Sequence, residues 1–281
     1  MRILLQVLVL TFLCSSSSIA EVQTRISTSV MSYNIHLEGS DEEAVPWDER
    51  RSLVAQAIRI KKPEILGVQG ANFIQIDWLS DHLRDYQVHT PDALDVQLGA
   101  DVCPIFFDKR KYEELSDGYE MLEGPSGITF LNWMKLKRID SNLELYVLNT
   151  HLDEEMSSNP TYVEGLESRI RSIVGKSTFV FVGDLDKEPD SPFIQGIQAW
   201  ANDSKRSSLV SISEMDATNV GWRISNTGKR TDYVFLSQDI PANSYEVVDV
   251  NYKDQYPSDH LPVFCRLRLE DPSDSIEEEK P

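Results

Sequence analysis

Short apolar runs alternate along the chain with segments whose apolar residues recur at helical spacing. A short apolar run that ends in polar residues is typical of a buried strand, and spacing of three to four is typical of an amphipathic helix. The predicted strands are 29–35, 65–69, 102–108, 130–137, 143–149, 178–183, 230–237, 245–252 and 261–269, and a further short element begins at Tyr112. The predicted helices are 47–61, 73–86, 162–174 and 191–201. This order predicts two sheets packed face to face with helices outside them.

The first twenty residues have the layout of a secretory signal peptide. Arg2 precedes an apolar run, and the segment ends on small residues, with cleavage expected after about Ala20. A buried N-terminal helix or strand is the alternative. The run is too short to span a bilayer comfortably, and no later segment is long and apolar enough to do so. We therefore expect residues 1–20 to be removed, a secreted, extracellular domain over 21–270, and no transmembrane segment.

Three further features depend on export. Cys103 and Cys265 could form a disulfide, but both lie in apolar strand-like runs, so two buried free thiols are an equally good interpretation. Asn202 begins an Asn-Asp-Ser acceptor sequence for N-linked glycosylation, which predicts a glycoprotein. Residues 271–281 are acidic, contain one apolar residue and predict a disordered tail.

The net charge of the chain indicates which class of ligand it binds. The formal net charge is -19 at pH 7, and no run of Lys or Arg stands out. Because phosphate backbones attract clusters of basic residues, this balance makes nucleic acid a less favoured partner. A phosphorylated small molecule is the expected partner instead.

Polar side chains recur where the predicted buried strands begin or end. Carboxylate and amide oxygens at such positions suit a hard divalent ion, and histidines beside it suit proton transfer to or from a phosphate. Each residue taken singly also has a structural interpretation as a turn residue, a helix cap or a surface histidine. The residues are Asn34, His151, Asp184, Asp186, Asp232, Asp259 and His260.

Their order and spacing resemble the endonuclease/exonuclease/phosphatase superfamily, and among its members the secreted and bacterial branch. The resemblance runs from Val30 to Leu269, and its most specific blocks are NTHLD at 149–153 and SDHLPV at 258–263. It implies an α/β fold of the DNase I type, in which a two-sheet β-sandwich is flanked by helices in four αββα layers.

The resemblance also implies a hydrolase that acts on phosphoric esters. Asn34 would lie at the metal and the reacting phosphate, and His151 would contact a phosphoryl oxygen. Asp184 would orient or deprotonate the attacking water. His260 would donate to the phosphate in the transition state, and Asp232 would support it. These roles describe in-line attack of water on phosphorus.

The metal site departs from the family pattern. The resemblance implies Mg²⁺ or Mn²⁺, held by Asn34, Asp186 and Asp259. The glutamate that is the family's principal metal ligand is replaced by Gly70, and Asp186 stands where the family has asparagine. The ion would therefore bind weakly or not at all.

Two functions follow from this departure. The first is a secreted metal-dependent phosphoesterase with a weakened site, acting on a phosphomonoester or phosphodiester. The second is a catalytically inactive pseudoenzyme that serves as an extracellular binding protein. Restoring glutamate at Gly70 is expected to raise metal affinity and activity if the rest of the site is competent.

Overall fold

The computed structural model describes residues 25–40, 44–92, 100–124, 127–211, 215–223, 227–238, 240–253 and 255–270, so the predicted signal peptide and acidic tail lie outside it. The strands in these ranges are β1 Arg25–Asn34, β2 Ile65–Gln69, β3 Tyr86–His89, β4 Ile105–Asp108, β5 Tyr112–Gly124, β6 Gly127–Arg138, β7 Glu144–His151, β8 Phe179–Asp184, β9 Asn202–Asp203, β10 Val210–Ser211, β11 Asp232–Leu236, β12 Ala242–Val247 and β13 Val263–Glu270. The helices are α1 Trp47–Lys61, α2 Phe73–His82, α3 Glu154–Ser158, α4 Pro160–Val174, α5 Pro192–Gln198 and α6 Ser204–Ser207.

The strands form two sheets, as the sequence predicts. One sheet has the order β10-β12-β13-β1-β2-β4-β3, and the other has the order β5-β6-β7-β8-β11-β9. Among the described residues no helix is long and apolar enough to cross a membrane.

Alternation along the central strands produces the four layers. Val30 and Val180 belong to the apolar cluster between the two sheets. Their neighbours point the other way: Met31 packs in the cluster with α1 and α2, and Phe181 packs in the cluster with α4 and α5. Because successive strand residues face opposite sides, strands that are apolar throughout are covered on both faces. The predicted αββα architecture of the DNase I type is confirmed.

Several element boundaries differ from the sequence prediction, and three of them show the physical reason. The helix predicted over 73–86 ends at His82, because Tyr86 begins β3, which pairs with β4. The short element at Tyr112 is a long strand paired with β6. The strand predicted over 245–252 ends at Val247. In each case pairing with a distant strand decides where the element ends, and local pattern does not report such pairing.

Of the two alternatives for the cysteines, a disulfide or two buried free thiols, the structure has the free thiols. Cys103 and Cys265 are both buried.

In the predicted acceptor sequence for N-linked glycosylation, the Asn202 Nδ2 donates to the carbonyl oxygens of Gln238 and Ile240.

The register of the sheets brings polar strand ends together. In one sheet β1 and β2 run parallel, and Asn34 pairs with Gln69 at their ends. In the other sheet His151 of β7 lies opposite Asp184 of β8, and Asp184 lies opposite Asp232 of β11. Three chemically active side chains therefore stand in one row across three neighbouring strands.

Arg50 of α1 ties the chain together beside this row. Its guanidinium is 1% exposed and donates to the carbonyl oxygens of Val45 at 2.8 Å and His36 at 2.7 Å. It also donates to the carbonyl oxygens of Ile35 and Pro257. One buried cation therefore fixes the end of β1 against the segment that leads to Asp259 and His260.

Replacing Arg50 with methionine is expected to lower the free energy of unfolding by about 3 kcal/mol, because buried carbonyl groups lose their donor. The matched control is Arg51→Met, since Arg51 pairs with the exposed Asp48 and lies over the Trp78 ring, and such contacts at the surface contribute about 0–1 kcal/mol each. Urea unfolding of the two variants measures the difference. Equal losses would show that the guanidinium of Arg50 has no special structural role.

Candidate active site

Asp184, at the end of β8, is the centre of the site. Its Oδ2 accepts a hydrogen bond from Asn34 Nδ2 at 2.8 Å. The same oxygen lies 3.6 Å from His151 Nε2 and 3.4 Å from His260 Nδ1. Burial and the charge of Asp232 raise the pKa of Asp184 to about 6, against the opposing effect of the two histidines. One buried carboxylate thus meets an amide and two imidazoles.

His151 is held by Asp101, a residue that the sequence did not single out. The His151 Nδ1 lies 2.7 Å from Asp101 Oδ2, which leaves Nε2 directed toward Asp184. Burial lowers the pKa of His151, but the hydrogen bond to Asp101 and the charges of Asp184 and Asp101 outweigh it and raise the pKa to about 9. His151 is therefore a cation at neutral pH.

Asp101 is itself fixed by main-chain donors. Its Oδ2 accepts from Gly70 N at 2.7 Å, and its Oδ1 accepts from Ala71 N at 3.2 Å and Cys103 N at 3.1 Å. Burial raises the pKa of Asp101, but these bonds and His151 bring it below its usual value. The only signal in the sequence is that Asp101 stands directly before the predicted strand 102–108.

His260 forms a second pair of this kind with Asp232. The His260 Nδ1 lies 2.8 Å from Asp232 Oδ2, and both residues are buried. Burial lowers the pKa of His260, but the charges of Asp232 and Asp184 raise it to about 10. With Nδ1 engaged, Nε2 is the nitrogen that can donate to a ligand.

His36 connects two of the predicted metal ligands, and the sequence did not single it out as a site residue. Its backbone N donates to Asn34 Oδ1 at 2.9 Å, and its Nδ1 lies 3.0 Å from Asp259 Oδ1. Burial raises the pKa of Asp259, but the bond to His36 and the charge of His260 bring it below its usual value. The carboxylate of Asp259 thus contacts His36, whereas the Nδ1 of His260 is bound by Asp232.

Gly70 adopts a conformation that leaves no room for a side chain. Its φ is +60°, and a Cβ at this position would lie 2.4 Å from Asn34 Oδ1 and 2.9 Å from His36 N. Real Cβ atoms do not approach other atoms so closely. Asn34 and His36 therefore occupy the space that a side chain at this position would need.

Asp186 lies at the margin of the site. Its backbone N donates to Asp184 Oδ1 at 3.1 Å, and its own φ is +47°, which is uncommon for a residue with a side chain. Burial and the charge of Glu154 raise the pKa of the Asp186 carboxyl. The charges of Lys187, His151 and His260 act in the opposite direction and lower the pKa of Asp186.

The carboxylates present fit a divalent ion. Asp184, Asp232 and His260 form a buried cluster whose polar side-chain atoms all lie within 4.8 Å of one another, and the oxygens of the two carboxylates are the ligands that a hard ion would take, because His260 carries a proton at neutral pH. Asp232 Oδ1 has no hydrogen-bond partner among the described residues, as expected of an oxygen placed for a cation. In the predicted set of Asn34, Asp186 and Asp259, by contrast, one oxygen each of Asn34 and Asp259 is already bonded to His36.

Replacing Asp101 with asparagine is expected to lower any phosphoester hydrolysis at this site about 10- to 100-fold, the usual effect of losing a residue that orients a site histidine. The pKa of His151 should also fall, because a neutral amide no longer stabilises its charge, and the alkaline limb of the pH–rate profile should move to lower pH. Asp81→Asn is the control, since Asp81 is exposed. An unchanged alkaline limb would exclude His151 as the group that titrates there.

No family model matches the chain. Among curated proteins, Nocturnin of Drosophila melanogaster is 22% identical over 284 residues. The match covers 84% of this chain but 44% of that protein, so the chain spans less than half of the relative's length.

Solved structures give a closer likeness in fold. An endonuclease/exonuclease/phosphatase family protein of Bacteroides thetaiotaomicron has a TM-score of 0.78 at 20% identity, over 88% of this chain and 99% of that one. A mannosyl-6-phosphatase of the same organism has a TM-score of 0.75 at 19% identity, over 85% and 99% of the two chains. The human Nocturnin catalytic domain with bound sulfate has a TM-score of 0.68 at 22% identity, over 87% and 97%. The chain therefore has the endonuclease/exonuclease/phosphatase fold.

Proposed function

We propose that this protein is a secreted phosphoesterase that hydrolyses a small phosphorylated molecule with the help of Mg²⁺ or Mn²⁺. The observation that carries the proposal is the buried Asp184 carboxylate with two histidines beside it, each held by its own aspartate. A carboxylate that can accept a proton beside two imidazolium groups that can bind and protonate oxygen is the set of groups that phosphoester hydrolysis needs.

The residues divide the reaction among them. Asn34 and the imidazolium group of His151 bind the phosphoryl oxygens. Asp184 accepts the proton of the water whose oxygen forms the new bond to phosphorus. His260 donates its proton to the alcohol oxygen as the bond from phosphorus to that oxygen breaks, so the products are the alcohol and the remaining phosphate. A divalent ion, when bound, neutralises charge that develops on the phosphoryl oxygens.

The comparisons support this proposal without fixing the substrate. The relatives include a mannosyl-6-phosphatase and a Nocturnin catalytic domain that binds sulfate. The net charge of -19 favours a small phosphorylated molecule over nucleic acid.

A second candidate is an extracellular binding protein for a phosphorylated ligand. One observation favours it: the backbone at Gly70 and the bonds of His36 leave Asn34 and Asp259 each with an oxygen already engaged. In that case the two imidazolium groups would hold phosphate without turning it over.

Removal of metal is expected to separate the two candidates. We expect the purified protein to hydrolyse bis-p-nitrophenyl phosphate with Mn²⁺, and EDTA to lower the rate at least 100-fold, because charge neutralisation by the ion is lost. Calorimetric titration with Mn²⁺ checks binding directly.

Asp186→Ala tests whether that carboxylate helps to hold the ion, with the exposed Asp190→Ala as its control. Loss of metal binding and activity in the first variant alone would place Asp186 at the metal. If the protein binds a phosphate ester but does not hydrolyse it, with or without metal, the phosphoesterase function is excluded and the binding-protein function is supported.

A further inference from the structure

A basic groove lies on the surface at the end of the sheet where β2 begins. It encloses about 320 Å³ between the C-terminal ends of α1 and α2 and the turns that lead into β3 and β5. Short basic runs that are far apart in the sequence meet here. The permanently positive side chains of its lining are Arg59, Lys62, Arg84 and Arg110, and the exposed Lys109 and Lys111 flank Arg110 on the turn into β5.

Arg110 engages both carboxylates of the lining. Its Nη1 lies 2.9 Å from Asp85 Oδ2, its Nη2 lies 2.7 Å from Asp108 Oδ2, and its Nε donates to Asp108 Oδ1 at 2.9 Å. These contacts hold both carboxylates against one guanidinium. Because four cationic and two anionic side chains line the groove, it keeps an excess of positive charge on a chain whose net charge is -19.

The three other cations, Arg59, Lys62 and Arg84, have no carboxylate partner in the part of the chain that the structure describes. Arg59 Nη2 donates to the His82 carbonyl oxygen at 2.6 Å, and Arg84 Nε donates to the Asp81 carbonyl oxygen at 3.3 Å. Both guanidinium groups retain further donors, and so does the exposed ammonium of Lys62. Because such groups bind oxyanions through charge-assisted hydrogen bonds, the groove suits an anionic ligand.

The floor of the groove is apolar. Ile58 and Leu83, which line it, are buried, and Tyr86 is half-buried, with its hydroxyl donating to the Pro63 carbonyl oxygen at 2.6 Å. The cationic side chains around this floor are exposed. A ligand that fits both parts has a face of C–H groups and anionic groups at its edge, which is the arrangement of a sulfated sugar ring.

We propose that the basic groove is a binding site for a sulfated polysaccharide. Sulfate groups pair with Arg59, Lys62 and Arg84, and a sugar ring rests on the apolar floor. The export that residues 1–20 predict would bring the protein to such polymers, which lie outside cells.

This binding site is separate from the site around Asp184 and does not depend on the proposed hydrolysis. Lys62 precedes β2, whereas Gln69 ends that strand beside Asn34. The length of β2, about 15 Å, therefore separates the groove from the row of polar strand ends.

Two other polyanions fit the groove less well. Single-stranded nucleic acid is held largely by stacking of its bases on exposed aromatic rings. Of the two rings in the lining, that of His82 is already stacked on Trp78 and that of Tyr86 is half-buried. An anionic membrane surface favours apolar side chains that protrude, whereas Ile58 and Leu83 are buried.

Calorimetry with the purified natural protein tests the proposal. At about 0.15 M NaCl, heparin hexasaccharide would be compared with its fully desulfated form, with an oligothymidylate of equal charge and with phosphatidylserine vesicles. We expect the heparin hexasaccharide to bind at least tenfold more tightly than the desulfated form and the oligothymidylate, and the vesicles not to bind. Its affinity should fall as salt increases, because binding releases counterions.

Lys62→Gly removes one cation without straining the backbone. Lys62 ends α1 with a φ of +48°, a left-handed conformation that glycine adopts more readily, so the variant should be at least as stable as the natural protein. We expect its affinity for the heparin hexasaccharide to fall about five- to tenfold. Lys253→Gly is the matched control, since Lys253 is exposed, has a φ of +51° and lies outside the groove lining. Its affinity should equal that of the natural protein.

Four results would overturn the proposal. Equal binding of the sulfated and desulfated hexasaccharides would exclude recognition of sulfate. Tighter binding of the oligothymidylate or of the vesicles would assign the groove to nucleic acid or to a membrane. An equal loss in the two glycine variants, or no loss in either, would place the binding outside the groove. Failure of heparin to bind would exclude the polysaccharide site and leave the phosphoesterase proposal unchanged.

Discussion

Replacing His260 with glutamine is expected to lower kcat/KM for phosphoester hydrolysis by about a thousandfold, within the range for loss of a general acid. His260 is buried, is held by Asp232 at 2.8 Å, and has its pKa raised to about 10, so it carries a proton at neutral pH. Glutamine keeps a hydrogen-bond donor but cannot give up a proton to the departing alcohol.

The leaving group shows whether proton donation is the cause. The loss of kcat/KM in His260→Gln should be larger for a phenyl ester, whose phenolate is a poor leaving group. It should be smaller for a 2,4-dinitrophenyl ester, whose phenolate is a weak base and departs with less protonation. His82→Gln is the control, because His82 is exposed and contacts Trp78 on α2. The same loss with both esters would show that His260 binds or orders the site and does not act as the acid.

The pH dependence of the hydrolysis rate follows from the pKa values of Asp184, His151 and His260. Asp184 must be a carboxylate to accept a proton, and its pKa is about 6, so activity should rise as pH increases through about 6. His151 and His260 must be protonated, and the lower of their pKa values is about 9, so activity should fall as pH increases through about 9. A bell between these limits is the expected pH–rate profile of the natural protein.

Much of this site could be anticipated because strand ends are visible in sequence. Asn34, His151, Asp184 and Asp232 each stand where an apolar run begins or stops. Neighbouring strands align such positions in one row, and the register of β7, β8 and β11 does so here. The local pattern is informative because binding and catalytic residues often lie where a buried strand meets a loop.

The partners of these residues could not be anticipated. Asp101 precedes β4 in one sheet and His151 ends β7 in the other, 50 residues apart, and nothing in either local sequence indicates the pairing. His36 reaches Asp259 across 223 residues for the same reason. A sequence shows which side chains leave the core, whereas long-range packing decides which of them meet.

Gly70 is where sequence and structure lead to different expectations. From sequence, the missing glutamate is a gap that one substitution could fill. In the structure the position combines a φ of +60° with a Cβ site 2.4 Å from Asn34 Oδ1. The left-handed backbone alone costs a residue with a side chain about 1–2 kcal/mol. The contact with Asn34 adds to this cost, and it displaces the amide that Asp184 binds.

A pair of alanine variants separates the backbone cost from the contact. Gly175 has a φ of +58° with a ψ of -115° and no atom within 4 Å of its Cβ site, so Gly175→Ala should cost only backbone strain, about 1–2 kcal/mol of unfolding free energy. Gly70→Ala should cost about 3 kcal/mol, because the Asn34 side chain must also move. It should lower kcat/KM at least tenfold, whereas Gly175→Ala should leave it unchanged. Equal costs in the two variants would mean that Asn34 moves freely and that the site is looser than its hydrogen bonds indicate.

Gly70→Glu carries the same backbone and contact costs, because its Cβ would meet Asn34 Oδ1 and His36 N. We therefore expect this variant to bind Mn²⁺ no more tightly than the natural protein and to show no gain in kcat/KM. Calorimetry and hydrolysis of bis-p-nitrophenyl phosphate measure both quantities. A gain in both would mean that the turn at Gly70 rebuilds itself around the new ligand, and that the present site is one substitution away from the full family set. No gain, with the fold intact, would mean that Asn34, His36 and Asp101 have settled into an arrangement that excludes the glutamate, so any activity depends on the carboxylates and histidines already in place.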